Sequence, residues 1–226
     1  MISLKGKNIL LTGATGGIGE SIAERLAKEG CNLFLTSRTE DKLKKLSKKL
    51  KSKYKIKSFY YVSDFTHLIY YKEFEDIANK SKIDILINCA GLFQGNYDNM
   101  FDINVRLPYF LVKFFSKGMI KRKWGRIVNI GSISSYQGFP DTDLYCASKH
   151  ALLGLSRSWR GLLKPHNIRV SFIAPSACKT NMGKQIPNQD YNTFIDPKEV
   201  AEYVLFIMKS DDRLIVDELK LNRFTF

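Results

Sequence analysis

Long hydrophobic runs are missing from this chain. Nowhere do about eighteen consecutive apolar residues occur, the length a helix needs to cross a bilayer, so no membrane association is expected. Histidine is scarce, with three in 226 residues. The four cysteines, Cys31, Cys89, Cys146 and Cys178, form no C-x-x-C pair and have no histidine at zinc-ligand spacing. Neither a metal site nor a disulfide framework is therefore expected. Each cysteine sits among apolar or small residues, as buried free thiols do, which favours a reducing, cytoplasmic setting. The opening MISLKGKNIL enters an apolar strand at once, leaving no room for the regions of a signal peptide. Internal repeats, low-complexity linkers and shifts of composition are also missing, so a single domain over 1–226 is expected.

Acidic residues are locally scarce. The net charge is +14, and between Arg38 and Lys57 ten basic residues face only Glu40 and Asp41, a local excess of 10 − 2 = +8. Leu43, Leu46 and Leu50 give this segment one apolar stripe, so the lysines read as the solvated face of a helix. No aromatics interleave with them as single-strand stacking on nucleic acid would require, and no nucleic-acid partner is expected.

What is present alternates. Apolar, β-rich runs occur at KNILLT, NLFLTS, KSFYYV, DILIN, GRIVNIG and IRVSFIA, with a weaker one at VDELKLN. Segments with helical spacing lie between them, at 17–29, 40–50, 68–80, 97–122, 144–164 and 197–209. This order predicts an α/β fold: a doubly wound, mostly parallel seven-stranded sheet with helices on both faces. After the first strand comes GATGGIG, with Gly13, Gly16, Gly17 and Gly19 in seven positions. Glycine inside a helix or strand costs about 0.5–1 kcal/mol relative to alanine, so the cluster points to a ligand approaching bare backbone. A turn between a first strand and first helix is where free amides meet a phosphate. The spacing is G-x-x-x-G-x-G rather than the usual dinucleotide fingerprint G-x-G-x-x-G.

In YCASK, Tyr145 and Lys149 are four residues apart and share one face of a helix. A cation beside a phenol favours the phenolate, and a tyrosine so tuned can exchange a proton with a carbonyl or alcohol oxygen. Upstream, Ser132 ends the strand in NIGSISS. Asn104 lies in a helix that Pro108 should disturb, because proline removes an i→i−4 hydrogen bond.

In these motifs and their order the sequence resembles the short-chain dehydrogenase/reductase family over nearly its whole length, from Lys7 to about Asn222, and within it the single-domain 3-oxoacyl-carrier-protein-reductase-like type. TGATGGIG (12–19) resembles the cofactor turn and DFT (64–66) the adenine contact. NCAG (88–91) resembles the family's NNAG, and PSACKT (175–180) the PG-x-x-x-T segment beside the nicotinamide. The resemblance implies that Ser132 orients a substrate carbonyl, Tyr145 is the acid–base residue, Lys149 binds the nicotinamide ribose and lowers the tyrosine pKa, and Asn104 holds a relay water. It implies cofactor contacts at Gly13, Thr15, Gly16, Gly17, Ile18, Gly19, Ser37, Arg38, Asp64, Phe65, Cys89, Ala90, Gly91, Tyr145, Lys149, Pro175 and Thr180. Two positions depart from the family pattern: Cys89 replaces the second asparagine of NNAG, and Ser176 replaces the usual glycine after Pro175.

The second strand ends in Thr36, Ser37 and Arg38 with no acid. An acid there would take the ribose hydroxyls of NAD, whereas an arginine accommodates the 2′-phosphate of NADP, so NADP(H) is expected over NAD(H). Thr15, where many NADP-preferring relatives carry a basic residue, adds no second charge. The expected function is hydride transfer between NADP(H) and a small-molecule carbonyl or secondary alcohol. The alternatives are a sugar-modifying epimerase or dehydratase, for whose larger C-terminal domain the chain has little room, and a catalytically silent dinucleotide-binding regulator. Residues 181–195 are expected to cover the substrate, with Tyr136, Gln137 and Phe139 lining its site. Phe101, Val105, Tyr109, Val112 and Phe115 form a stripe that suits a homodimer or homotetramer.

Overall fold

The structure is a computed structural model and describes residues 1–65, 74–77, 81–210 and 213–224. Strand β1 (Asn8–Thr12) leads into helix α1 (Gly17–Lys28), followed by β2 (Asn32–Ser37), α2 (Glu40–Tyr54) and β3 (Ser58–Val62). Then come β4 (Ile85–Asn88), α3 (Tyr97–Phe101), α4 (Leu107–Arg122), β5 (Gly125–Ile130), α5 (Asp143–Leu163), β6 (Ile168–Pro175), α6 (Pro197–Lys209) and β7 (Glu218–Leu221). Of the helix expected at 68–80, residues 74–77 are helical and the rest lie outside the described residues, as does Thr66 of the DFT motif.

The seven strands form one parallel sheet in the order β3-β2-β1-β4-β5-β6-β7. Strand order reverses between β1 and β4, and a crevice opens at such a switch point beyond the carboxyl ends of the strands. Burial on both faces explains why the central strands read as continuous apolar runs. Side chains alternate along each strand. Ile9, Leu11, Ile85, Ile87, Val128 and Ile173 pack with Ile22 and Leu26 of α1, Leu43, Leu46 and Leu50 of α2, and Val200 and Val204 of α6. Leu10, Leu86, Ile127, Val170 and Phe172 face the other layer, against Leu111 and Phe115 of α4 and Leu152, Trp159 and Leu163 of α5.

Two helices differ from their sequence limits by more than one residue at an end. Helix α2 runs on to Tyr54, and Lys55 ends it in the left-handed region at φ 55°. The segment expected as one helix over 97–122 is broken by a π-helical turn, Asp102–Arg106, whose last bond runs from the Leu107 N–H to the Asp102 carbonyl. The cause is Pro108. With no N–H to offer, it leaves the Asn104 carbonyl without its α-helical partner, and the turn before it widens. The expected oligomer stripe is split by this turn: Val112 and Phe115 belong to the core, while Phe101, Val105 and Tyr109 are only partly buried.

Candidate active site

The glycine turn sits against the end of β4. Gly13 has φ +66°, and a Cβ there would lie 2.8 Å from the backbone of Ala90. Directly below, the Thr12 hydroxyl accepts the N–H groups of Cys89 and Ala90, both at 3.0 Å. The substitution of Cys89 into the NNAG-like motif therefore leaves the main-chain stitching between β1 and β4 in place. A side chain at Gly19 would collide with the Gly13 carbonyl, and one at Gly17 would come within 2.7 Å of the Thr180 methyl. Gly16 is the N-cap of α1 and supplies no side-chain cap, so the amides at this helix start have no side-chain partner there. Packing thus demands glycine at positions 13 and 19 and favours it at 17, where a side chain would have to displace the Thr180 methyl, and the resulting bare turn presents the positive end of α1, beside Thr15 and Ile18, to the crevice. A pyrophosphate fits this cradle.

Further out along the crevice, Thr15 Oγ1 and Ser37 Oγ lie 2.6 Å apart, joining the glycine turn to the end of β2. Arg38 follows, exposed to solvent. The Ser63 N–H donates to the Ser37 carbonyl at 2.9 Å, which brings Asp64 and Phe65, both partly buried, to the same rim. The cofactor residues expected from sequence thus gather along one edge: Gly13 to Gly19 and Ser37–Arg38, with Asp64–Phe65, Cys89–Gly91 and Pro175–Thr180.

The acid–base candidates meet on the other side of the β4 terminus. Tyr145 and Lys149 are both buried on α5. Ser132 caps the turn after β5, its hydroxyl accepting the Ser134 N–H at 3.1 Å. Burial pushes the Tyr145 phenol up to about 12, and the nearby Ser132 hydroxyl is the influence that opposes it. Burial also lowers the Lys149 ammonium to about 8. The ammonium donates to the Ile130 carbonyl at 3.3 Å and lies 5.6 Å from the centre of the tyrosine ring. Burial is the largest influence on the phenol, which stands above the ordinary tyrosine value, whereas the Y-x-x-x-K spacing leads one to expect a depressed one.

Asn104 is fully buried, turned inward by the π-helical turn. Its Oδ1 accepts the Leu92 N–H at 2.8 Å, and its amide nitrogen faces the Leu92 carbonyl at 2.8 Å and Ser148 Oγ at 2.9 Å. Ser148 in turn donates to the Tyr145 carbonyl at 2.8 Å. The side chain therefore pins the loop after β4 to the turn of α5 that carries the tyrosine, leaving a relay water only the second lone pair of Oδ1. A Cβ on Gly91 would lie 3.4 Å from Lys149 Nζ and 3.5 Å from Asn104 Oδ1, so the two converge on one point.

Sequence reasoning passed over several of these residues. Phe93 packs edge-on against Tyr145 with ring centres 4.9 Å apart, and nothing in its loop sequence signals that. Ser148 lies inside YCASK, three residues from the tyrosine, and that helical spacing is a usable signal. Tyr136, expected to line the substrate site, donates to Glu218 on β7 at 2.7 Å and packs on Phe172. Ser176 faces the chain's own C-terminal tail, accepting the Arg223 N–H at 3.1 Å.

Known proteins resemble this chain in sequence and fold. Residues 7–191 match the family model described as short chain dehydrogenase. The chain is 32% identical to the 3-oxoacyl-(acyl-carrier-protein) reductase FabG of Rickettsia conorii, covering 92% of this chain and 91% of that protein. The FabG of Aquifex aeolicus is 31% identical, with 91% of each chain covered. Among solved structures, a metagenomic short-chain oxidoreductase in complex with NADP superposes with a TM-score of 0.83 at 28% identity, covering 99% of this chain and 100% of that one. An NAD+-bound xylitol dehydrogenase superposes with a TM-score of 0.85 at 25% identity, covering 97% and 98%. The glycine cradle at a switch point, the tyrosine and lysine one turn apart and the family match across 7–191 converge: this chain belongs to the short chain dehydrogenase family of nicotinamide-nucleotide-dependent oxidoreductases.

Proposed function

We propose that this protein reduces a ketone to a secondary alcohol with NADPH, and runs the reverse reaction at higher pH. The observation that carries the reading is the buried pair Tyr145 and Lys149 on α5, with the Ser132 hydroxyl the one group that favours the ionised phenol. Ser132 and Tyr145 both donate to the substrate carbonyl oxygen, and Tyr145 gives its proton to that oxygen as charge develops. A phenol held near 12 is protonated at neutral pH, which suits a proton donor and therefore the reductive direction. The alcohol-oxidising direction needs the phenolate and rises with pH. Lys149 holds the nicotinamide ribose and presents a positive charge to the reacting oxygen below about pH 8. Asn104 keeps the loop at Leu92 and the α5 turn in register. When bound, the cofactor supplies or accepts the hydride. The bare turn at Gly13–Gly19 holds its pyrophosphate, and Thr15, Ser37 and Arg38 hold the 2′-phosphate that distinguishes NADP.

Residues 181–195 cover the substrate. In support, Thr180 seats the segment's start against Gly17 of the cofactor turn, and the Ile195 N–H donates to the Ala177 carbonyl at 3.0 Å to close its base. A 3-oxoacyl thioester is the first substrate class to try, on the names of the FabG relatives. The partly exposed aromatics Phe101, Tyr109 and Phe114 on α3 and α4 support a homodimer or homotetramer, which sedimentation at micromolar concentration tests. The functional test is NADPH oxidation against acetoacetyl thioesters, sugars and simple ketones, with NADP+ reduction by the matching alcohols. Turnover by the wild type and its loss in Tyr145→Phe support the reading. Absence of turnover across the panel in both directions overturns it.

A further inference from the structure

Beyond the reacting groups, the last described residues of the chain fold back over the segment read above as the substrate cover. After β7 the chain passes Ser176, whose hydroxyl accepts the Arg223 N–H. The Arg223 side chain then spreads over the far end of the segment. Nη1 donates to Thr193 Oγ1 at 3.2 Å and Nη2 to Gln189 Oε1 at 2.6 Å, and the guanidinium carbon lies 5.0 Å from the centre of the Phe194 ring.

The segment's other anchors lie at its base. The Lys179 N–H donates to the Ile195 carbonyl at 2.8 Å, and the Ile195 N–H to Ala177. Gly183 folds against the Cys178 carbonyl so closely that a side chain there would clash. Its N–H donates to Thr180 Oγ1 at 3.0 Å. The distal turn, Tyr191–Thr193, is held internally by Asp190, which accepts from Asn192 at 2.9 Å. Phe194 is buried there, while Gln189 and Thr193 are exposed. A fork of two donors stacked on a buried ring fixes both the direction and the distance of that turn from the sheet, as a single point charge would not.

We propose that Arg223 is a positioning residue that clips the distal turn of the 181–195 segment to the end of β7 and so sets how far the segment lies from the Tyr145 site. Ser176 is the clip's second point, which gives the departure from the family's glycine a use. The inference rests on the reading of 181–195 as the substrate cover, and it concerns substrate engagement rather than the chemical step.

The test pairs hydrogen exchange of the full chain with steady-state kinetics for Arg223→Met, which retains apolar packing on Phe194 and removes both donors, and for Arg223→Lys. In Arg223→Met the amides of Asn192, Thr193 and Phe194 should exchange about five- to tenfold faster, with the basal amides of Lys179 and Ile195 unchanged. With acetoacetyl-N-acetylcysteamine as probe, KM should rise about five- to tenfold, with NADPH affinity unchanged and kcat altered less than twofold. Arg223→Lys should recover part of both effects, and Ser176→Gly should show the same exchange pattern more weakly. Unchanged exchange at 192–194 in Arg223→Met overturns the clip. Faster exchange with unchanged KM upholds the clip but overturns the segment's role over the substrate, and so separates the two readings. Loss of protection throughout the chain means that Arg223 serves global folding, and overturns the proposal as well.

Discussion

The two ends of helix α5 carry charged and phenolic groups in opposite circumstances. Near its start, Tyr145 and Lys149 are shut away from water, and burial drives each toward its neutral form, the phenol up to about 12 and the ammonium down to about 8. Two to three turns later, Arg157 and Arg160 reach β7. Arg157 Nε meets Glu218 at 2.7 Å, Arg160 Nε meets Asp217 at 3.1 Å, and Glu218 also accepts from Tyr136. Here partners outweigh burial, and hydrogen bonding to Arg157 holds the Glu218 carboxyl down at about 2. The same helix therefore stores unfavourable desolvation at one end and satisfied charge at the other. Groups that must change protonation in a reaction need a poised state, and this is what burial without a full partner provides. Groups that only fasten helix to strand do best fully paired.

The strongest test of this contrast removes the phenol. Tyr145→Phe should lower turnover by about 10²–10⁴-fold and leave NADPH affinity within about twofold, because the ring still packs against Phe93. Turnover above about a tenth of wild type would break the assignment of the N-terminal end as the reacting one.

Lys149→Met comes next and has two readouts of opposite sign. Activity and cofactor affinity should fall, and the decline of carbonyl reduction expected of the wild type above about pH 8 should vanish, since that limb belongs to the lysine losing its proton. Thermal stability at neutral pH should rise by about 1 kcal/mol, because a buried ammonium whose folded pKa lies below its unfolded value opposes folding until pH passes that unfolded value. A drop in melting temperature at pH 7 would refute the stored-desolvation account. The sequence motif alone predicts that this variant raises the tyrosine's pKa. The structure predicts that the alkaline limb of alcohol oxidation stays where burial sets it.

Arg38→Ala probes the outer end of the crevice, where the charge is exposed and its expected contribution smaller. NADPH affinity should fall about tenfold with NADH unaffected, as for loss of one charge-assisted phosphate contact. Equal affinity for the two cofactors in the wild type would sink the NADP assignment.

The smallest effect belongs to the paired end of α5. Glu218 has a folded pKa below its unfolded one, so its contribution is fully present above about pH 4.5 and is lost as pH falls toward 2. Glu218→Gln should cost about 1 kcal/mol near neutrality, discounted for the half-exposed Arg157. It should also flatten the fall in melting temperature between pH 4.5 and 2. Kinetics at neutral pH should barely move. A loss of activity comparable to that of Lys149→Met would erase the distinction between the two ends.

Sequence by itself determined the layering and the candidate site residues. Apolar runs with β-branched residues, separated by helices with three- and four-residue spacing, admit little besides a parallel sheet covered on both faces, because only that fold buries such strands. The glycines at 13, 17 and 19 and the Tyr145–Lys149 interval were legible because they encode local geometry: a turn without side chains, and two groups on one helix face. Pro108 even announced the irregular turn beside Asn104. Tertiary structure alone decided which influences act on those groups. That desolvation dominates at the tyrosine depends on how tightly β5, α5 and the loop around Phe93 close over it. That Asn104 spends its amide on Leu92 and Ser148, and that Tyr136 turns to Glu218, depends on segments far apart in the chain being brought together. The tie between Ser176 and Arg223 likewise spans 47 residues. Burial and long-range pairing are properties of the assembled layers, and no local pattern of residues carries them.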